Sequence, residues 1–417
     1  MSTYLKRFAD TVLRNRLRGC GAVLIQGAKG CGKTETAARI AGSAARLDID
    51  EDMRVRMELD PKSVLTGAAP RLIDEWQEYP QIWNYVRREV DARKKRGQFI
   101  LTGSANPEER ARLHSGAGRF SIIKMRPMSL YEKAWSTGEV SLAELVKGRA
   151  PKSEQVDFDL GTLAEKITLG GWPGLIGSGA RAGLRFMRDY ITLIAEVDIN
   201  RASGRKRDPQ KVTRLLRSLA RNISTEAALS SIAKDTGGAD TRIGEETIAE
   251  YLETLERLMT VEQLPAWSPH IRCADTLRKT PKRHFVDPSL AVGALGLSTD
   301  KLLADLNYFG FLFESLVIRD LRIYADVHEG GVFHYRDSRG MEVDAVIEYP
   351  DTSWAAFEVK MGFTAQDEAA RNLLNFAAKI DQKKMGAPSA LTVITANGFA
   401  CRRKDGVNVV PLSALTA

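Results

Sequence analysis

The sequence predicts an α/β protein: a parallel sheet behind a glycine-rich loop, a helical part, a helix–helix–helix–hairpin unit and a second α/β unit at the C-terminal end. Three observations predict it. Short apolar runs alternate with helical stretches as far as Thr102, the pattern of a parallel sheet with crossover helices. Three amphipathic helical stretches and two short strands follow between Pro209 and Val286. A long patterned helix, three strand runs, a helix and a strand then close the chain, between Phe309 and Thr395.

The elements follow in order. Ala22–Gln26 (AVLIQ) is an apolar run ending at a glycine-rich loop, as a buried parallel strand does. Lys33–Arg46 is rich in helix formers. Val55–Leu59, Arg71–Asp74 and Gln98–Thr102 are the next strand candidates, with a helix over Gln81–Lys95 between the last two. From Ser129 to about Asn200 the pattern is helical, interrupted by a tight turn at Gly170-Gly171-Trp172-Pro173-Gly174. Arg201–Arg207 is a basic, polar linker. Helices are expected over Gln210–Asn222, Ala227–Asp235 and Glu245–Arg257, and strands over Thr260–Pro265 and Lys282–Val286, the order of a winged helix. In Phe309–Tyr324 the apolar residues Phe309, Leu312, Phe313, Leu316, Val317 and Leu321 recur at helical spacing. Val332–Tyr335, Glu342–Ile347, Ala355–Val359 and Ala390–Thr395 are strands, with a helix over Gln366–Ile380.

Composition excludes several classes. Over 417 residues, 43% are hydrophobic and 27% charged, enough apolar material for packed cores and against wholesale disorder. Cys20, Cys31, Cys273 and Cys401 have neither metal-ligand nor redox spacing. The first residues carry charges throughout, unlike a signal peptide, and no apolar run is long enough to span a membrane. The expectation is a soluble cytoplasmic protein. Lys and Arg number 61 against 53 Asp and Glu, so the net charge is +8, compatible with a polyanionic partner.

The chemistry starts at Gly27-Ala28-Lys29-Gly30-Cys31-Gly32-Lys33-Thr34, which fits G-x-x-x-x-G-K-[ST]. Glycines let the backbone turn its N–H groups toward phosphates, and a helix beginning at Lys33 would aim its positive end at them. Lys33 is expected to reach the β- and γ-phosphates of ATP, and Thr34 to hold Mg²⁺. Asp74, at the end of an apolar strand, can support Mg²⁺, and Glu75 beside it can act as the base that directs water. Thr102 and Ser104 are both candidates to sense the γ-phosphate. Arg119, in Gly116–Phe120, is the candidate arginine finger.

At these residues the chain resembles the large prokaryotic family of AAA-type P-loop ATPases whose C-terminal part is a domain of unknown function. The resemblance is carried by GAKGCGKT, LIDEWQEYP (Leu72–Pro80), FILTGSAN (Phe99–Asn106), GAGRF, RPMSLYE (Arg126–Glu132), GGWPG and GMEVDAVIE…AFEVK (Gly340–Lys360). It implies an AAA-like P-loop domain over 1–127, a helical lid over 128–205, a winged helix over 206–295 and a restriction-nuclease-like domain over 296–417. Preference for ATP over GTP rests on the resemblance. An arginine finger often comes from a neighbouring subunit, which would call for a homo-oligomer. Cys31 stands where the family often has a small aliphatic residue, without removing a catalytic group.

Two further clusters bear on function. Glu358 and Lys360 are two apart on a strand and share a sheet face, and a hairpin would bring Asp344 beside them. In this D…ExK arrangement Asp344 and Glu358 would bind Mg²⁺, Lys360 would position water for phosphodiester hydrolysis, and Glu314 could add a carboxylate. The alternative is a degenerate domain whose charges form a structural salt bridge or bind DNA. Arg201–Arg221 holds eight Lys or Arg and one acid, an electrostatic footprint that suits DNA. Arg278, Lys279, Lys282 and Arg283 form a second basic group. The helix over Glu245–Arg257 is acidic, which argues against its insertion into a major groove.

Overall fold

The computed structural model describes residues 4–103, 115–155, 158–238, 243–269, 280–362 and 365–417. The N-terminal unit contains α1 (Phe8–Gly19), β1 (Ala22–Gly27), α2 (Lys33–Ala38), β2 (Ser43–Arg46), α3 (Glu51–Leu59), β3 (Arg71–Asp74), α4 (Ile82–Arg93), β4 (Phe99–Gly103) and β5 (Phe120–Met125). Its five strands run parallel in the order β2-β3-β4-β1-β5. Both faces are covered, as crossover helices require. Along β1, Ala22 and Leu24 pack with Trp83 and Val86 of α4, while Val23 and Ile25 pack with Leu13 and Leu17 of α1.

Two expectations fail here. The strand beside β3 is Ser43–Arg46, read in the sequence as the tail of a helix, and Val55–Leu59 is helical. Asp50 caps α3 by accepting the Met53 N–H at 3.3 Å, and Glu51 and Asp52 sit in its first turn. The alternation of Val55, Met57 and Leu59 imitates a strand, yet only Met57 is buried. Helix α2 is just six residues long. β5 escaped notice because it is an edge strand of mixed exposure.

The middle of the chain contains the short β6 (Val140–Ser141), α5 (Leu142–Val146), α6 (Leu160–Leu169), α7 (Ala180–Leu193), a π-turn over Ile194–Asp198 and α8 (Ile199–Ser203). Next come α9 (Pro209–Arg221), α10 (Leu229–Gly237), α11 (Glu245–Arg257) and an antiparallel pair, β7 (Val261–Leu264) and β8 (Lys282–Phe285). The three-helix-and-hairpin order matches the sequence reading; Arg278 and Lys279 lie outside the described residues. After α12 (Ser289–Leu295) and α13 (Thr299–Ala304) comes the 21-residue α14 (Leu306–Asp326).

The C-terminal sheet is built from β9 (Gly331–Arg336), β10 (Glu342–Glu348), β11 (Trp354–Lys360), β12 (Ala390–Thr395), β13 (Cys401–Arg402) and β14 (Asn408–Pro411), in the order β13-β14-β12-β11-β10-β9. Helix α15 (Gln366–Lys379) covers one face through Leu373 and Phe376, α14 covers the other, and a short α16 (Gln382–Met385) follows. The last strand, β15 (Leu415–Thr416), returns to pair with β6.

Buried ion pairs lock these units together. Arg319 of α14 bonds Asp287 at 2.6 Å and Asp320 at 2.7 Å. Those two acids in turn accept the backbone N–H groups of Gly171 and Leu130, each at 2.9 Å. The RPMSLYE and GGWPG segments therefore meet at one polar hub, fully partnered as buried charge requires.

Candidate functional site: a phosphate loop and a carboxylate–lysine cluster

The phosphate loop leaves β1 at Gly27 and turns into α2 at Gly32, whose φ of 99° favours glycine. Lys33 is buried, and its ammonium donates to the carbonyls of Gly27 and Ala28, each at 2.9 Å. The Thr34 hydroxyl donates to Asp74 Oδ1 at 2.9 Å, and the Thr102 hydroxyl donates to the same oxygen. Residues expected to share Mg²⁺ are thus in contact, and a hydroxyl with a carboxylate suits that hard cation. Thr102 positions Asp74. Ser104 lies outside the described residues.

Glu75 adopts a left-handed backbone at φ 51° and accepts a hydrogen bond from Gln77. Burial pushes its carboxyl above the usual range, against the pull of Gln77 and Lys33. A cavity of about 560 Å³ opens over the loop, lined by Lys33, Thr34, Asp48, Glu75, Gln77 and Arg201 among others. The sequence reading missed Arg201 as a site residue, because its run looked like a linker. It reaches the cavity mouth from α8 and pairs with Glu78. Nearby, Lys29 bonds Asp198 of the same helical segment. Arg7 braces the loop from beneath, donating to the Cys31 carbonyl at 2.9 Å while pairing with Glu132 of RPMSLYE at 3.1 Å.

Arg119 is elsewhere. It precedes β5, whose Phe120 pairs with Ala22 and whose Met125 pairs with Gly27. That places Arg119 at the sheet end opposite the loop, about 17 Å away at a strand's rise per residue. It bonds Asp91 at 2.9 Å and is absent from the cavity lining. Within one chain it cannot serve its own loop.

The C-terminal residues do come together. Asp344 lies where the β9–β10 register shifts between Val343 and Val346, a bulge that re-aims a side chain. Its Oδ2 accepts the Val359 N–H at 2.9 Å. Glu358 pairs with Lys360 at 3.1 Å and accepts a hydrogen bond from Asn372 of α15 at 2.8 Å. The ammonium of Lys282, on β8, lies 2.9 Å from Glu314 and 3.7 Å from Asp344. Burial, then the charge of Asp344, raises Glu314 to about 7 and pushes the Glu358 carboxyl well above the usual range. Lys282 and Asn372 went unrecognised here in the sequence. Among the described residues no group of three or more His, Cys, Asp or Glu stands ready to hold a metal. As folded, each carboxylate expected to hold Mg²⁺ faces an ammonium group, Lys282 at Asp344 and Lys360 at Glu358.

Much of the basic stretch has internal partners. Arg207 bonds Glu250 of the acidic α11 at 2.9 Å and lies over Tyr251, and Arg214 donates to the Gly237 carbonyl. Glu250 of α11 thus neutralises part of the stretch. Among the described residues no helix is long and apolar enough to cross a membrane.

Comparison with known proteins matches three stretches of the chain. Residues 20–134 match a family model described as an AAA domain. Residues 161–301 and 309–415 match models described as domains of unknown function, DUF8612 and DUF4143 respectively. Uncharacterized proteins of Mycobacterium tuberculosis and Mycobacterium bovis are each 26% identical over 363 residues, spanning 85% of this chain and 74% of the relative. The solved Walker-type ATPase of Pyrococcus abyssi is similar at a TM-score of 0.44 and 14% identity, over 70% of this chain and 96% of its own. The family match and the loop coincide: residues 20–134 are similar to an AAA domain and contain the G-x-x-x-x-G-K-[ST] loop at Gly27–Thr34.

Proposed function

We propose that the chain is a Mg²⁺-dependent ATPase whose nucleotide state is passed to a DNA-associated C-terminal half. The observation that carries the proposal is the contact between Thr34 and Asp74 beside Glu75, with Thr34 and Glu75 lining the phosphate-loop cavity. In hydrolysis, Lys33 exchanges the loop carbonyls for phosphate oxygens. Thr34 and Asp74 would hold Mg²⁺, which would neutralise developing charge. Glu75 accepts the proton of the water that attacks the γ-phosphorus, as the β–γ bridging bond breaks. Arg119, remote from its own loop, acts as a finger on the site of a neighbouring copy in a homo-oligomer.

Glu75→Gln separates binding from chemistry. Nucleotide affinity should stay within a few-fold of wild type, while turnover falls by about 10²–10³. Turnover at the wild-type rate in that variant would remove Glu75 from the mechanism.

A second reading has its own support. The terminal domain is a catalytically inactive nuclease-like fold, and ATP occupancy controls DNA or protein binding through the winged-helix unit. Lys282, seated among the carboxylates, favours it. Salt-sensitive DNA binding without cleavage in Mg²⁺ or Mn²⁺ is its expected signature; cleavage lost in Asp344→Ala would sink it.

A further inference from the structure

The carboxylate cluster of the terminal domain already contains a cation. We propose that Lys282 is the built-in counter-cation of Glu314 and Asp344, and that it keeps divalent metal out of the cluster. The inference rests on reading this cluster as nuclease-like, and is independent of the ATPase.

Three observations carry it. The first is placement. The Lys282 side chain is 8% exposed, and its ammonium lies within 4 Å of carboxylates from two separate elements, α14 and β10. A divalent ion there would need oxygen ligands at about 2.0–2.6 Å, inside the volume the ammonium fills. The second is saturation of the other oxygens. Asp344 Oδ2 accepts the Val359 N–H, Glu358 Oε1 accepts from Asn372, and Glu358 Oε2 faces Lys360. A metal would have to displace several charge-assisted bonds at once. The third is the origin of the lysine. It is carried by the hairpin, outside the sheet that presents Asp344 and Glu358. The hairpin is held in place locally, where the Ser224 N–H donates to the Arg283 carbonyl at 2.9 Å and Arg283 donates to the Ala227 carbonyl.

Breaking a buried pair from one side leaves an uncompensated charge. Removing the lysine should therefore leave carboxylates that recruit an external cation.

Mn²⁺ titration of the full chain without nucleotide, followed by the electron paramagnetic resonance of free Mn²⁺, tests this. Wild type and Asp344→Asn should titrate alike. Lys282→Gln should gain one Mn²⁺, bound at least about tenfold more tightly than wild type binds it, and the double variant Lys282→Gln/Asp344→Asn should lose it again. Lys282→Arg, which keeps the charge, should gain none. Circular dichroism and cooperative thermal unfolding establish that each variant is folded. Mn²⁺ bound by wild type and lost in Asp344→Asn would overturn the proposal, while leaving the nuclease reading intact. So would a folded Lys282→Gln protein that gains no site. If Lys282→Gln fails to fold, the comparison of wild type with Asp344→Asn still decides.

Discussion

At the scale of single residues, position in the chain decides which site groups can be recognised. Lys33, Thr34, Asp74 and Glu75 stand out as candidates because each lies in a short segment whose order is dictated by chemistry: glycines where the backbone must turn, and an acid where a buried strand ends. Lys282 and Asn372 belong to no such segment. They meet Glu314, Asp344 and Glu358 only through tertiary folding, so no spacing announces them. Arg119 was legible as a candidate, but its distance from the loop was not, because β5 was not recognised. A finger acting between copies makes a sharp prediction. Turnover by Arg119→Ala alone should be low, and mixing it with Glu75→Gln should restore a substantial part of it. Each Arg119→Ala site then borrows the arginine of a Glu75→Gln neighbour. A phosphate-release assay on the mixture checks this, and no gain over the separate proteins would exclude action in trans.

At the scale of elements, periodicity found the helices and the central strands but failed where burial is partial. α3 mimics a strand through the spacing of Val55, Met57 and Leu59, while Ser43–Arg46 takes the strand position with small side chains that resemble a helix tail. Turn chemistry fared better. The GGWPG turn presses Gly171 against the Met128 backbone, so an added Cβ would collide with the Met128 carbonyl, whereas Gly174 faces open space. Gly171→Ala should destabilise the protein by about 1–3 kcal/mol, as overpacking does, and Gly174→Ala should leave the thermal unfolding midpoint nearly unchanged. Equal midpoints for the two variants would contradict this account of the hub.

At the scale of the whole molecule, the change from a parallel sheet to a helical middle part and then to a terminal sheet is visible as changes of pattern. The clamps between them are not, because their partners are far apart in sequence. Glu262 of β7 is one such clamp, bonding Arg126 beside β5 at 2.8 Å and Arg322 of α14 at 2.9 Å. Burial would raise its carboxyl, but the two guanidinium groups outweigh that and hold it at about 2. A carboxylate depressed by folding contributes stability that is present above its ordinary range and lost as pH falls toward the folded value. Arg322, which burial lowers to about 10, stays charged throughout that window, so the acid-side loss belongs to Glu262. Wild type should lose about 3 kcal/mol from this group between pH 4.5 and 2. Denaturant titrations across that range should show a shallower loss in Glu262→Gln.

The central claim is that the phosphate loop turns over ATP, and Mg²⁺-dependent phosphate release by wild type and by Lys33→Ala tests it most directly. Release by wild type that disappears on chelation of Mg²⁺ and in Lys33→Ala is the result expected. Equal release by the two proteins would contradict it.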